Sequence, residues 1–171
     1  MKSLYLTGFM GSGKTTIGKL LAEKLALPVI DTDQFIEEQL QKTIREIFET
    51  EGEEQFREYE EQFLKMIPTE NNIITTGGGI ILKNENRTWM RKNGTVIYLH
   101  CEPEEIMKRL ASDETRPLLD GDKQKNILSI FAKRSEYYDD ADFKIDTTGK
   151  SPVEIVLEIE QLIKADPSRR Y

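Results

Sequence analysis

Gly8-Phe9-Met10-Gly11-Ser12-Gly13-Lys14-Thr15 follows the pattern G-x-x-x-x-G-K-[ST], whose residue types suit the holding of phosphate groups. Glycines let a loop wrap so that successive backbone N–H groups point inward at phosphate oxygens, in conformations and at approaches that a Cβ would obstruct. Lys14 brings a mobile positive charge to β- and γ-phosphates, and the Thr15 hydroxyl is a ligand for Mg²⁺. The run SLYLT reads as a strand leading into the loop. After Lys14, Ile17, Leu20, Leu21 and Leu25 recur on one helical face, and that helix would add its positive N-terminal end. A nucleoside triphosphate with magnesium is the expected ligand.

Phosphoryl transfer further needs an acceptor in line with the γ-phosphate, a group near its hydroxyl and positive charge on the transferring oxygens. Asp31-Thr32-Asp33 ends a second strand-like run, LPVID, at the edge where parallel sheets place ligands. Side chains two apart on a strand share a face, so both carboxylates would look toward the phosphate loop. Asp33 would then hold or deprotonate the acceptor, and Asp31 would hold a magnesium-bound water. An aspartate capping the next helix is the competing reading. Arg57 has Glu53, Glu60 and Glu61 three or four positions away, which suits either a surface ion-pair ladder or a clamp, by Glu60 or Glu61, that aims the guanidinium at a ligand carboxylate. Gly77-Gly78-Gly79 directly follows the run NNIIT and leaves backbone open to a ligand, or simply makes a flexible turn. Arg116 is either an arginine finger folding over the phosphates or a solvated loop residue, and Arg134 is ambiguous in the same way.

The elements that must carry these groups are five apolar or β-branched runs, SLYLT, LPVID, NNIIT, TVIYL and ADFKID, alternating with helical patterns. Such alternation implies an α/β fold: a three-layer α/β/α sandwich around a five-stranded parallel sheet. Ser151, Pro152 and Glu154 form a capping signature before Val156, Ile159 and Ile163, and Glu102-Pro103 opens a helix carrying Ile106 and Leu110. Two stretches exceed a minimal crossover. Residues 33–70 are too long for one helix, with breaks at 41–43 and 51–52, and are expected to form a helical substrate-binding insertion; 112–123, polar with Pro and Gly, is expected to be a lid. No linker or repeat divides the chain, so 1–171 is read as a single domain, and nothing calls for more than a monomer.

Composition removes several alternatives. The net charge is −7, which argues against nucleic acid as the partner. Residues 33–70 alone carry −8, so the acidity belongs to that insertion. Cys101 and His100 are the sole residues of their kinds, which leaves no disulfide, no cysteine zinc site and little basis for a Ser-His-Asp hydrolase. No apolar run approaches the roughly 20 residues of a membrane span, and residues 1–10 lack a long apolar core and a cleavage site, so the expected location is the cytoplasm. Asp146-Thr147-Thr148-Gly149 spells D-x-x-G, but no N-K-x-D sequence accompanies it, which disfavours a guanine-nucleotide switch.

Taken together, GFMGSGKT at 8–15, DTD at 31–33, IFETEGEEQFREYE at 47–60, TTGGG at 75–79, TRPLL at 115–119 and AKRSEYY at 132–138 resemble the shikimate kinases among the P-loop kinases, in order and spacing over nearly the whole chain. The resemblance implies ATP-dependent phosphorylation of the shikimate 3-hydroxyl, with Mg²⁺, on the route to chorismate and the aromatic amino acids. It implies that Gly11, Ser12, Gly13, Lys14, Thr15 and Thr16 bind ATP, that Arg116 contacts its phosphates from the lid, and that Arg109 lies against adenine. Asp33 would engage the acceptor hydroxyl, Arg57 and Arg134 would grip the shikimate carboxylate, and Gly77, Gly78 and Gly79 would meet the ring. Phe48 and Phe56 would wall the pocket. Thr75-Thr76 stands where many P-loop proteins carry a magnesium-binding aspartate, so Thr15 is the one direct metal ligand expected, with Asp31 acting through water. A kinase for another small acceptor, such as gluconate or a nucleoside monophosphate, would share the phosphate loop and lid.

Overall fold

The computed structural model describes residues 1–111 and 121–165. Each of the five runs forms a strand: β1 (Ser3–Thr7), β2 (Val29–Asp31), β3 (Ile73–Thr75), β4 (Gly94–His100) and β5 (Phe143–Asp146). They pair in the order β2-β3-β1-β4-β5, parallel throughout, with Leu6 opposite both Thr75 and Ile97. Parallel pairing brings every strand's carboxyl end to one edge, and the site-forming loops leave from there.

Alternation along the strands divides the core into two layers. Leu4, Leu6, Ile97 and Leu99 face one side, where α1 (Lys14–Leu25) and α7 (Pro152–Ala165) cover them with Ile17, Leu21, Ile155 and Ile159. Tyr5, Ile74, Val96 and Tyr98 face the other. They meet Leu64 from α3 (Ile44–Leu64), Met90 from α4 (Asn84–Asn93), Ile106 and Leu110 from α5 (Pro103–Leu110), and Ile127 and Tyr138 from α6 (Lys123–Tyr138). The chain is thus the expected three-layer sandwich. Ser151 and Glu154 close a reciprocal cap at the start of α7. Among the described residues, no helix is long and apolar enough to cross a membrane.

The 33–70 stretch is helical and broken where the sequence predicts. α2 (Thr32–Leu40) ends on Gln41 in the left-handed region, and a capping box between Thr43 and Glu46 starts α3. Within α3, Gly52 leaves helical geometry at φ 85 and ψ 168, kinking the rod. Ile36, Ile47, Phe56 and Phe63 form a third apolar cluster, each side chain contributing about 1.5–3 kcal/mol by burial, so the insertion has its own small core. The expected lid falls mostly outside the described residues, as does Arg116. At its end, Asp122 caps α6 and Lys123 is that helix's first residue.

Gly18 sets how closely α1 lies on β3, because a Cβ there would collide with the Thr75 methyl. Gly18→Val is expected to destabilise the protein by about 1–3 kcal/mol in urea unfolding, the scale of overpacking. Unchanged stability would contradict this account of the α1–β3 contact.

Candidate active site

The loop between β1 and α1 takes its shape from its glycines. Gly11 and Gly13 sit at φ 78 and 95, and Gly13 caps α1. A Cβ on Gly8 would stand 2.6 Å from the Leu99 carbonyl oxygen. The Lys14 ammonium arches back along the loop and donates to the carbonyl oxygens of Gly8 at 2.7 Å and Phe9 at 3.0 Å. Gly11, Ser12, Gly13, Lys14, Thr15 and Thr16 line a cleft of about 540 Å³. Arg109 flanks it from the last turn of α5, donating to the Gly11 carbonyl at 3.1 Å and pairing with Glu105 at 3.3 Å. Lys150, Pro152 and Ile155 complete the lining. Sequence reasoning did not place these last three at the site, and read Pro152 only as part of a helix cap. Their signal is positional: the loop after β5 leaves the same sheet edge as the phosphate loop.

A second cleft of about 780 Å³ opens between the sheet edge and the insertion. Phe48 and Phe56, with rings 4.9 Å apart, line it together with Arg57, Glu60, Gly77, Gly78, Gly79 and Arg134. Arg57 is mostly buried, and its guanidinium spans Glu60 at 2.6 Å and Glu53 at 3.0 Å. Of the two carboxylates considered as a clamp, Glu60 is the partner; Glu61 pairs instead with Lys65 and Lys83. Arg57 is therefore no surface ladder residue, although its partners lie at ladder spacing. Burial opposes its charge, but Glu60 and Glu53 together outweigh that and raise its pKa. Glu60 is 1 % exposed, and burial pushes its carboxyl up to about 7 against the pull of Arg57. Arg134 is 3 % exposed; burial lowers its pKa, and the positive Arg57 adds to that. Two buried cations lining one cleft have the charge to receive an anionic group.

The triad after β3 lets acid and base approach. A Cβ on Gly77 would lie 2.5 Å from Asp33 Oδ1, and one on Gly79 would collide with the Arg57 guanidinium. Asp33 itself lies in the first turn of α2 and not on a strand, so the shared-face argument for Asp31 and Asp33 does not hold. Instead Asp31 caps α2, accepting from the N–H groups of Asp33 at 3.0 Å and Gln34 at 3.1 Å. Both aspartates nevertheless reach the site: Thr15, Asp31, Asp33, Gly77 and Gly78 line both clefts and form the seam between them.

Magnesium suits this seam. Among the described residues, no group of three or more His, Cys, Asp or Glu side chains is placed to cage a metal. Mg²⁺ needs no such cage, since it binds through phosphates and waters with one or two protein oxygens. The Thr15 hydroxyl, on the seam, has the chemistry to supply one such oxygen. Asp31 already accepts two N–H bonds on Oδ1 and the Thr75 hydroxyl at 2.6 Å on Oδ2, which leaves it suited to a water contact and not to direct ligation.

Comparison with known proteins agrees with this geometry. The family model described as shikimate kinase matches residues 10–164. A shikimate kinase of Bacillus mycoides is 53 % identical over 163 residues, covering 95 % of this chain and 99 % of that protein. One of Caldicellulosiruptor saccharolyticus is 46 % identical over 172 residues, covering 99 % and 100 %. The shikimate kinase of Acinetobacter baumannii, solved in complex with shikimate, superposes with a TM-score of 0.93 at 33 % identity, covering 98 % of this chain and 95 % of that one. With a glycine loop, a carboxylate seam and a buried arginine pair on one sheet edge, and with relatives matched end to end, the chain belongs to the shikimate kinase family.

Proposed function

We propose that the protein transfers the γ-phosphoryl group of ATP to the 3-hydroxyl of shikimate, giving shikimate 3-phosphate and ADP. The observation that carries this reading is the seam. A phosphate-holding cleft and an anion-attracting cleft share the residues a transferring phosphoryl group would have to pass. Catalysis of this reaction is mostly positioning and charge stabilisation, and each residue can be given its part on those terms.

Backbone N–H groups of Gly11, Ser12 and Gly13 hold the phosphates, and Lys14 swings from the loop carbonyls onto the β- and γ-oxygens. Thr15 and Thr16 continue this grip at the start of α1, and Arg109 lies along the adenine side. The Thr15 hydroxyl would ligand a magnesium ion brought with ATP and Asp31 would hold one of its waters, and the bound ion would supply charge neutralisation on the phosphates. Arg57, Arg134 and the backbone of Gly77, Gly78 and Gly79 fix the carboxylate end of shikimate, with Phe48 and Phe56 against the ring. That anchoring presents the 3-hydroxyl to Asp33. The hydroxyl oxygen forms its bond to the γ-phosphorus as the bond to the β–γ bridging oxygen breaks; its proton passes to Asp33, and ADP leaves. Arg116, outside the described residues, is assigned the developing charge on the phosphoryl oxygens, with 112–123 as its lid.

Purified protein with ATP and magnesium is expected to phosphorylate shikimate in preference to gluconate and nucleoside monophosphates; turnover of either alternative but not shikimate would overturn the reading. Lys14→Ala should abolish transfer, and Asp33→Asn should lower kcat far more than ATP affinity. Arg57→Ala should weaken shikimate binding by about 1.5–3 kcal/mol, the scale of a charged hydrogen-bonded contact, and an unchanged Kd would remove Arg57 from the site. Glu60 yields a pH signature. Its folded pKa of about 7 lies above the ordinary 4.5, so the folded state holds the extra proton between those values and the group's stabilisation is lost as pH rises across that window. The urea-midpoint difference between wild type and Glu60→Gln should therefore fall from pH 4.5 to 7 and level off above it. A constant difference would contradict the buried carboxyl.

A further inference from the structure

Tyr138, the last residue of α6, takes no part in the transfer described above, yet its hydroxyl stands where the two halves of the anion site meet. The ring is 1 % exposed and stacked on Tyr98 of β4, with centroids 4.9 Å apart and planes 11° from parallel. Its hydroxyl donates to the Gly78 carbonyl oxygen at 2.5 Å. The guanidinium of Arg134, one turn earlier on the same helix, acts on the same hydroxyl, its positive charge favouring the phenol oxygen. A guanidinium only donates, so the phenol oxygen has its lone pairs for Arg134 while its own proton goes to Gly78. Burial pushes the phenol up to about 12, which keeps that proton in place at neutral pH.

The bond to Gly78 has a consequence one atom further on. The Gly78–Gly79 peptide is trans, and in a planar trans peptide the N–H points away from the C=O. Holding the Gly78 oxygen against the buried phenol turns the Gly79 N–H away from that phenol, and Gly79 lines the cleft together with Arg57 and Arg134. The turn closed by the Ile80 N–H on the Gly77 carbonyl at 3.2 Å fixes the ends of the triad, but its middle peptide, Gly78–Gly79, is free to flip because two glycines accept either set of backbone angles. We infer that Tyr138 is a positioning residue for carboxylate recognition: one buried hydroxyl fixes both a main-chain donor at Gly79 and the side chain of Arg134, joining them into a single anion site. The inference rests on the proposed contact between the shikimate carboxylate and Arg57 and Arg134.

Tyr138→Phe keeps the ring and its stacking and removes only the bridging oxygen. Calorimetric titration of wild type and Tyr138→Phe with shikimate, with its neutral carboxamide and with ATP separates the possible roles. The carboxylate-dependent part of binding should suffer, with the shikimate Kd rising about tenfold or more, the scale of lost hydrogen bonds to a charged group. The carboxamide and ATP constants should stay within about twofold, and KM for shikimate should rise more than kcat falls. Equal weakening of shikimate and carboxamide, or no weakening of either, would overturn the inference while leaving the carboxylate grip intact. A wild-type protein that binds the carboxamide as tightly as shikimate would overturn the grip and the inference together.

Discussion

Everything in the site depends on a strip of backbone without side chains. Gly77, Gly78 and Gly79 leave the carboxyl end of β3, which lies between β1 and β2. Asp33 from α2 approaches the first of them, Arg57 from α3 the last, and the Met10 N–H of the phosphate loop the middle one, where a Cβ would stand only 3.3 Å away. A methyl group at either end would displace the very atoms that the chemistry needs. The two clefts are adjacent because this strip has almost no thickness, and their shared seam follows from it.

Charge is arranged around the same strip. An insertion carrying −8 looks hostile to an anionic ligand, yet its acids are used to hold a cation. Glu60 and Glu53 fix Arg57 in one orientation, and Arg134, buried nearby, adds a second positive group. A buried ion pair of this kind contributes little net stability, because desolvation offsets most of the attraction. Its value lies in direction: a guanidinium held by carboxylates cannot wander, so a ligand carboxylate meets it already ordered. Oε1 of Glu60 is buried without a hydrogen-bond partner among the described residues, and burial, with the negative Asp33 adding to it, holds that carboxyl above its ordinary range against the pull of Arg57.

Much of this is legible in the amino-acid sequence. The strands announce themselves through β-branched runs, and the glycine loop through a pattern with a definite mechanism. The breaks at 41–43 and at Gly52 show because caps and glycines are local signals. What was misread or missed involves residues whose meaning depends on partners far along the chain. Asp33 follows a strand run, but the cap made by Asp31 starts a helix before it, so strand alternation no longer applies. Ladder spacing could not distinguish Glu60 from Glu61, since only packing shows that one faces the core and the other faces Lys65 and Lys83. α4 has too few apolar residues, with Trp89 and Met90 side by side, to display a period. Lys150 and Tyr138 gain their place from the order of strands in the sheet, which one sequence does not spell out.

The claim that a bare backbone strip brings both substrates together is tested most directly at Gly79. Shikimate and ATP titrated calorimetrically into Gly79→Ala, beside wild type, should show shikimate affinity falling about tenfold or more as Arg57 is pushed aside, with ATP affinity nearly unchanged. Shikimate binding as tight as that of wild type would contradict the account.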